Sequence, residues 1–284
     1  MGGTVAKFAF VPPDPIKPKQ PFELLKTANN HQIPVQFFPT QLKKGKPTII
    51  FSHGNGEDLA MNERWMDHLS RSLDVNMVSY DYSGYGMSKT HDDKKIEFPS
   101  EAFVFNDVQA VYDHVTRNKE IDSRDILFMG RSLGSGPTCE MGKRLSDQGI
   151  PFRGCIIQSG LLSCVRVAMM TQSKISLPID IFINRDKIDS INAPIFIIHG
   201  EKDEVVGFEH GKGLYELIKE KDSGRYSPWW ILTAGHNDIE HGQGLRDFIK
   251  WSQENEIKAM KRQKSSFFGR WLQEKPKSEE SSSL

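Results

Sequence analysis

Residues Ile126 to Gly136 read Ile-Leu-Phe-Met-Gly-Arg-Ser-Leu-Gly-Ser-Gly, an apolar run that stops at a Gly-x-Ser-x-Gly pattern. An amphipathic stretch from Pro137 to Leu145 follows at once. A short apolar run bounded by glycine reads as a buried strand, and the order strand, sharp turn, helix is that of a nucleophile elbow. Such a turn lifts the Ser132 hydroxyl above a sheet edge and crowds backbone on both sides, so Gly130 and Gly134 stand where a Cβ would collide. The helix start aims free N–H groups, that of Leu133 among them, at a developing oxyanion. By itself the five-residue pattern also describes an ordinary Gly-rich loop, and its flanks single it out. Pro137 removes one N–H, which the first turn of a helix tolerates.

The rest of the chain alternates in the same way. Thr48 to Phe51, Val75 to Tyr80, Gly154 to Gln158, Pro194 to Ile198 and Trp229 to Leu232 read as strands. Helical periodicity covers Asp58 to Leu73, the stretch that Ser100 caps up to about Asn118, Glu209 to Lys219 and Ile239 to Ser252. This alternation predicts parallel βαβ units wound on both faces of one sheet, an α/β fold. Phe22 to Thr27 and Gln32 to Phe38 predict a leading antiparallel hairpin, with Pro34 near an edge or bulge. About 35 residues separate the strand at Gly154 from the one at Pro194. That is room for a small cap and not for a large lid domain, so the pocket should be comparatively open. Residues 1–21, with prolines at 12, 13, 15, 18 and 21, read as an extended arm. Residues 22–254 form the catalytic-type domain, and 255–284 a basic, aromatic segment with a Ser-rich tail.

The 284 residues carry 37 basic and 37 acidic side chains, a formal net charge of zero. No bulk attraction to nucleic acid follows. Three cysteines, Cys139, Cys155 and Cys164, lie in or beside core elements without metal-ligand spacing, which suits a reducing compartment rather than a disulfide framework. No run approaches the ~18 apolar residues of a membrane span, and the first residues lack the apolar core of a secretory signal. The expectation is a cytoplasmic chain with no metal and no cofactor.

A serine hydroxyl is a poor nucleophile at neutral pH and needs a base within reach and a group to orient that base. Of His199, His210, His236 and His241, His236 sits after the last strand and before the last helix, where a loop at the sheet's carboxyl edge belongs; it is the chosen base. His199 ends a strand and reads as structural, while His210 and His241 fall in helical segments and read as solvated. For the acid, Asp203 follows the strand at Pro194, with Glu201, Glu204 and Asp238 as rivals that spacing does not dismiss. The oxyanion donors are the Leu133 N–H and, from the loop His53-Gly54-Asn55-Gly56, the Asn55 N–H.

Five ordered blocks carry a resemblance. Ser52-His53-Gly54-Asn55, Asp81 to Gly86, Gly130 to Gly134, His199 to Val205 and Gly235 to Glu240 resemble those of the alpha/beta-hydrolase domain-containing protein 17 family, over roughly Pro34 to Ser252. Asp180 to Ile188 extends the likeness. The resemblance implies an alpha/beta-hydrolase fold and a serine hydrolase that removes palmitate from cysteines of membrane-bound proteins. Carried over by position, it implies Ser132 as nucleophile, His236 as base and Asp203 as acid. Two departures stand out: no cysteine precedes Cys139, where the family has an N-terminal cysteine cluster, and Arg131 stands where the family more often has Gln.

The same residues serve an esterase or lipase of small lipid esters such as monoacylglycerols, and a third reading is a non-catalytic binding member of the fold. The first reading expects S-acylated membrane-associated proteins as partners and a place on the cytosolic face of a membrane. Gly2 invites N-myristoylation, although Ala6 stands where that motif asks for Ser or Thr. Residues 256–277 hold seven basic against two acidic residues, interleaved with Phe267, Phe268, Trp271 and Leu272, as an interfacial segment would.

Overall fold

A computed structural model describes residues 9–96, 98–169, 179–218, 226–240 and 242–254. Gly2, Ala6, His241 and the segment after residue 254 lie outside the described residues. The strands are β1 (Glu23–Lys26), β2 (His31–Phe38), β3 (Thr48–Ser52), β4 (Asn76–Tyr80), β5 (Lys89–Thr90), β6 (Ile126–Arg131), β7 (Gly154–Gln158), β8 (Ile195–Gly200) and β9 (Trp229–Ile231). They form one sheet in the order β1-β2-β4-β3-β6-β7-β8-β9, with the two-residue β5 paired beside β2. The leading hairpin is antiparallel, as the sequence predicts, with Glu23 opposite Val35, and β2 is antiparallel to β4. From β4 through β3, β6, β7 and β8 to β9 every pairing is parallel.

The central strands read as unbroken apolar runs because both of their faces are covered. Ile50, Val78, Phe128, Ile157 and Ile197 point into one core with Val104 and Val108 of α2 (Glu101–Asp113), Met141 of α3 (Ser135–Asp147) and Leu214 of a later helix, Phe208–Leu217. Their neighbours Ile49, Phe51, Met77, Leu127, Met129, Ile156, Phe196 and Ile198 point the other way, against Met66 and Leu69 of α1 (Leu59–Leu73) and Phe248 of the helix at 242–254. The two-residue period of a strand thus divides one hydrophobic run between two layers of helix. Asp58 caps α1 by accepting from the Met61 N–H at 2.9 Å, and Ser100 caps α2 by accepting from the Phe103 N–H at 3.2 Å. The helix expected to reach Asn118 ends as a regular α-helix at Asp113 and continues as a π-helical turn over His114–Asn118.

Between β7 and β8 the described residues hold only α4 (Cys164–Ala168) and two short turns, Asn184–Asp186 and Ile188–Ser190. The helix at Phe208–Leu217 is α5 and the one at 242–254 is α6. The described residues 10–21 of the proline-rich arm carry no helix or strand, and they are pinned to the domain. With few N–H groups of its own, it gives those of Ile16, Lys19 and Gln20 to the carboxylates of Asp58 and Glu63. Phe10 is buried, edge-on to Tyr85 and Phe182.

Candidate active site

Because β3, β6, β8 and β9 run parallel, the residues that follow them emerge at one edge of the sheet. Asn55, Ser132, Asp203 and His236 are all on those loops. This carboxyl edge is where open α/β sheets carry their sites.

Ser132 directly follows β6, in a single 3₁₀ turn that leads into α3. Its φ of 53° lies in the left-handed region, which a non-glycine residue enters only under constraint. The constraint is visible on both sides. A Cβ on Gly130 would stand 2.1 Å from the Gly134 carbonyl oxygen, and one on Gly134 would stand 2.0 Å from that of Ser52, so the elbow lies directly on the end of β3. Below it, the Ser135 hydroxyl donates to the Ser132 carbonyl at 2.7 Å and accepts from Asn184 Nδ2 at 3.0 Å.

His236 Nδ1 lies 2.9 and 2.8 Å from the two carboxyl oxygens of Asp203. An ionised carboxylate only accepts, so Nδ1 carries the proton of this contact. Asp203 Oδ1 also accepts from the N–H groups of Val205 and Val206 at 3.0 and 2.8 Å, and His199 Nε2 stands 3.3 Å from Oδ2. Burial pushes this carboxyl up, but the hydrogen bonds of His199 and His236, the His236 charge and the Val206 N–H together outweigh it and hold it well below the usual carboxylate range. Of the rivals left open by the residues alone, Glu201 and Glu204 are exposed, and Asp238 accepts from the Gly235 N–H at 2.6 Å inside its own loop. The Asp203–His236 contact is the one the fold brings together.

Two histidines depart from their sequence reading. His210, expected to be solvated, is buried, because α5 turns His210, Gly211 and Leu214 together toward the sheet. Its Nδ1 accepts from the Leu162 N–H at 3.1 Å, and burial, aided by His199 and Arg166, pulls its pKa down to about 4. His199, read as structural, is fully buried, donates to the Val206 carbonyl at 2.8 Å and also touches the candidate acid.

The loop after β3 is rigidly held. His53 is buried and stacked on Tyr82 with ring centroids 4.0 Å apart, and its Nδ1 donates to the Gly54 carbonyl at 2.8 Å. That carbonyl and the Asn55 N–H belong to one planar trans peptide, so fixing the oxygen aims the N–H the opposite way. The Asn55 side chain is used elsewhere: Oδ1 accepts from the Val11 N–H and the Tyr85 hydroxyl, and Nδ2 donates to the Ala9 carbonyl. Nothing in the sequence signals that the arm closes on this residue. Among the described residues no cluster of His, Cys, Asp and Glu could hold a metal ion, and no helix is long and apolar enough to cross a membrane.

The sheet order, the strained serine turn and the imidazole–carboxylate contact on neighbouring loops define an alpha/beta hydrolase of the serine hydrolase superfamily. Residues 43–175 match the family described as Hydrolase_4, serine aminopeptidase, S33. Human alpha/beta hydrolase domain-containing protein 17B is 30% identical over 272 residues, covering 86% of this chain and 88% of the relative. The chain belongs to the alpha/beta hydrolase domain-containing protein 17 family. Among solved structures, an esterase from Pyrococcus furiosus superposes with a TM-score of 0.61 at 17% identity, over 85% of this chain and 97% of that one. Mouse alpha/beta hydrolase domain-containing protein 10 does so with a TM-score of 0.57 at 16% identity, over 85% and 100%. At such identities these two establish the fold alone.

Proposed function

We propose that this chain is a serine thioesterase that removes palmitate from S-acylated, membrane-associated proteins, with Ser132 as nucleophile, His236 as base and Asp203 as orienting acid. The observation that carries the reading is the His236 contact to a buried, ionised Asp203 at the same edge of the sheet as the strained Ser132 turn. The family supports the choice of an acyl group on cysteine as substrate.

In this mechanism Asp203 accepts the Nδ1 proton and keeps the ring in one tautomer. The Ser132 oxygen forms a bond to the thioester carbon as its proton passes to His236 Nε2, and the carbonyl electron pair moves onto oxygen. The N–H groups of Asn55 and Leu133 receive that oxyanion. Collapse breaks the C–S bond, the cysteine sulfur leaves with the His236 proton, and an acyl ester remains on Ser132. A water molecule, deprotonated by His236, attacks that ester, and the fatty acid leaves as the serine takes back its proton.

Fluorophosphonate labelling of the purified chain and turnover of palmitoyl-cysteine peptides test the reading, with a monoacylglycerol as competitor. Ser132→Ala and His236→Ala are each expected to lower turnover by about 10⁴-fold or more, and their effects are not expected to add because the residues act as a unit. Ordinary activity in Ser132→Ala would sink the mechanism. Preference for the monoacylglycerol would replace the thioester with an oxygen ester. The proposed substrate class calls for work at a bilayer, with Gly2 and residues 256–277 as the attachments; fractionation of Gly2→Ala and of a chain ending at Gln253 tests those attachments, and both variants remaining on membranes, or the unaltered protein wholly soluble, would remove them.

A further inference from the structure

Arg131, between Gly130 and the candidate nucleophile, is the last residue of β6. Its side chain leaves the elbow and ends between two other loops of the site. Nη1 pairs with Glu57 Oε1 at 2.6 Å, and Nη2 donates to Asn237 Oδ1 at 2.6 Å. Asn237 is the neighbour of His236. Glu57 closes the loop after β3: its second oxygen accepts from the Gly54 N–H at 3.1 Å and from Asn62 Nδ2 at 3.3 Å. Gly54 is the neighbour of Asn55. One guanidinium therefore joins the three loops that carry the nucleophile, one oxyanion donor and the base, always through the adjacent residue.

We propose that Arg131 is a positioning residue for the reaction, a two-pronged brace whose planar fork sets the oxyanion loop and the histidine loop at a fixed distance from Ser132. The inference rests on the serine hydrolase reading above. The side chains of Arg131 and Glu57 are only 19% and 16% exposed, so their charge-assisted bond is weakly screened by salt. A guanidinium offers rigid, divergent donors in one plane, and a lysine ammonium at the end of a flexible stem does not reproduce them. Loops without such a tie rely on their own backbone to hold a reacting geometry. A misplacement of about 1 Å at a reacting centre costs about 10²-fold in rate.

The charged and titratable groups around His236 are Asp203 and, behind it, His199; Arg131 with Glu57, through Asn237; and Glu204 and Asp238, which flank Gly235. Removing the Arg131 cation leaves Glu57 uncompensated and favours the protonated imidazole. The pH profile therefore reads the Arg131 charge independently of folding, and Arg131→Lys, which keeps the charge, reads the fork.

The test compares Arg131→Lys, Arg131→Met and Arg131→Met with Glu57→Gln, using a chromogenic acyl ester and a palmitoyl-cysteine peptide. Arg131→Lys and Arg131→Met are each expected to lower kcat by about 10- to 100-fold with KM changed far less, because loop placement acts on the transition state. In Arg131→Met the acidic limb of kcat/KM is expected to move to higher pH. Adding Glu57→Gln should return that limb toward the wild-type position without restoring kcat. Full activity in Arg131→Lys would overturn the brace in favour of charge alone, and reduced melting temperature with an unmoved kcat and pH limb would reduce Arg131 to a fold support. If Arg131→Met fails to fold, Arg131→Lys decides between fork and charge by itself. A wild-type chain that takes no fluorophosphonate label removes the serine hydrolase reading and this inference together; a labelled, active wild type matched by its Arg131 variants removes only this inference.

Discussion

Two loops at the carboxyl edge of the sheet each carry a buried aspartate, and they shift its pKa in opposite directions. Asp81, after β4, accepts from the Leu59 N–H at 2.7 Å and the Met87 N–H at 3.3 Å, yet burial pushes its pKa up to about 7. Asp107, on α2, accepts both the N–H and the hydroxyl of Ser83, and burial pushes it up to about 7 as well. Asp203, after β8, also has two N–H donors but stays ionised far below that range. The difference is not the number of backbone donors. Asp203 faces two imidazoles, whereas Asp81 has His53 Nε2 no nearer than 3.9 Å, beyond hydrogen-bond reach. Burial alone gives a carboxyl that holds its proton up to about pH 7, and only a partner able to carry positive charge gives an acid fit to orient a base.

The sharpest way to break this comparison is Asp203→Asn, which removes the charge and keeps the shape. Turnover is expected to fall by about 10³- to 10⁴-fold because the productive histidine tautomer is disfavoured. Hydrolysis of a palmitoyl-cysteine peptide measures it, and a loss of only a few-fold would show that Asp203 and Asp81 are the same kind of group.

The second effect is one of pH. Asp107 holds its proton longer in the folded state than in the unfolded one, where its value is near 4. Its contribution is therefore fully present below about pH 4 and is lost as pH rises toward about 7. Buried His210, with its value lowered to about 4, acts oppositely and adds stability as pH rises toward 6.5. The difference between wild type and Asp107→Asn isolates the carboxyl. Wild type is expected to lose about 2–4 kcal/mol relative to the variant between pH 4 and pH 7, as read from urea midpoints. A difference that stays flat would place Asp107 with Asp203.

Asp81→Ala comes next. It leaves the buried Leu59 N–H at the start of α1 without an acceptor, at a cost of about 1–3 kcal/mol in unfolding free energy. Its effect on turnover should remain far below that of Asp203→Asn. The smallest effect is expected from Asp238→Asn, which keeps an acceptor for the Gly235 N–H and should change turnover only mildly. If Asp238→Asn proved the more damaging of the two site aspartates, the sequence neighbour of His236 and not the spatial one would be its partner.

Much of the architecture was legible because it is written in short-range patterns. The apolar runs at Ile126 and Pro194 are strands covered on both faces, and the stretches that open at Asp58 and Ser100 are helices whose first turns those two side chains cap. His210 was misread because its helix carries polar residues around a narrow apolar stripe, and only the packing of α5 shows that the imidazole lies on the stripe with Leu214. The bonds of the arm to Asn55, Asp58 and Glu63 left no local trace in the sequence, since they join residues more than forty positions apart.

The sequence by itself determined the elbow. Gly130, Ser132 and Gly134 fix a turn whose sterics depend on neighbours within a few residues, and the alternation of strand and helix fixes the parallel order that sets all four loops on one edge. Apart from the family resemblance, only tertiary structure decided which acid meets His236, and it alone decided what spans the loops. The loop after β8 contains Glu201, Asp203 and Glu204, chemically alike on paper, and only Asp203 is turned inward to the ring. Arg131 reaches Asn237 across 106 positions of chain and Glu57 in the opposite direction. Contacts of that kind depend on where separate strands end in space, which local propensity does not encode.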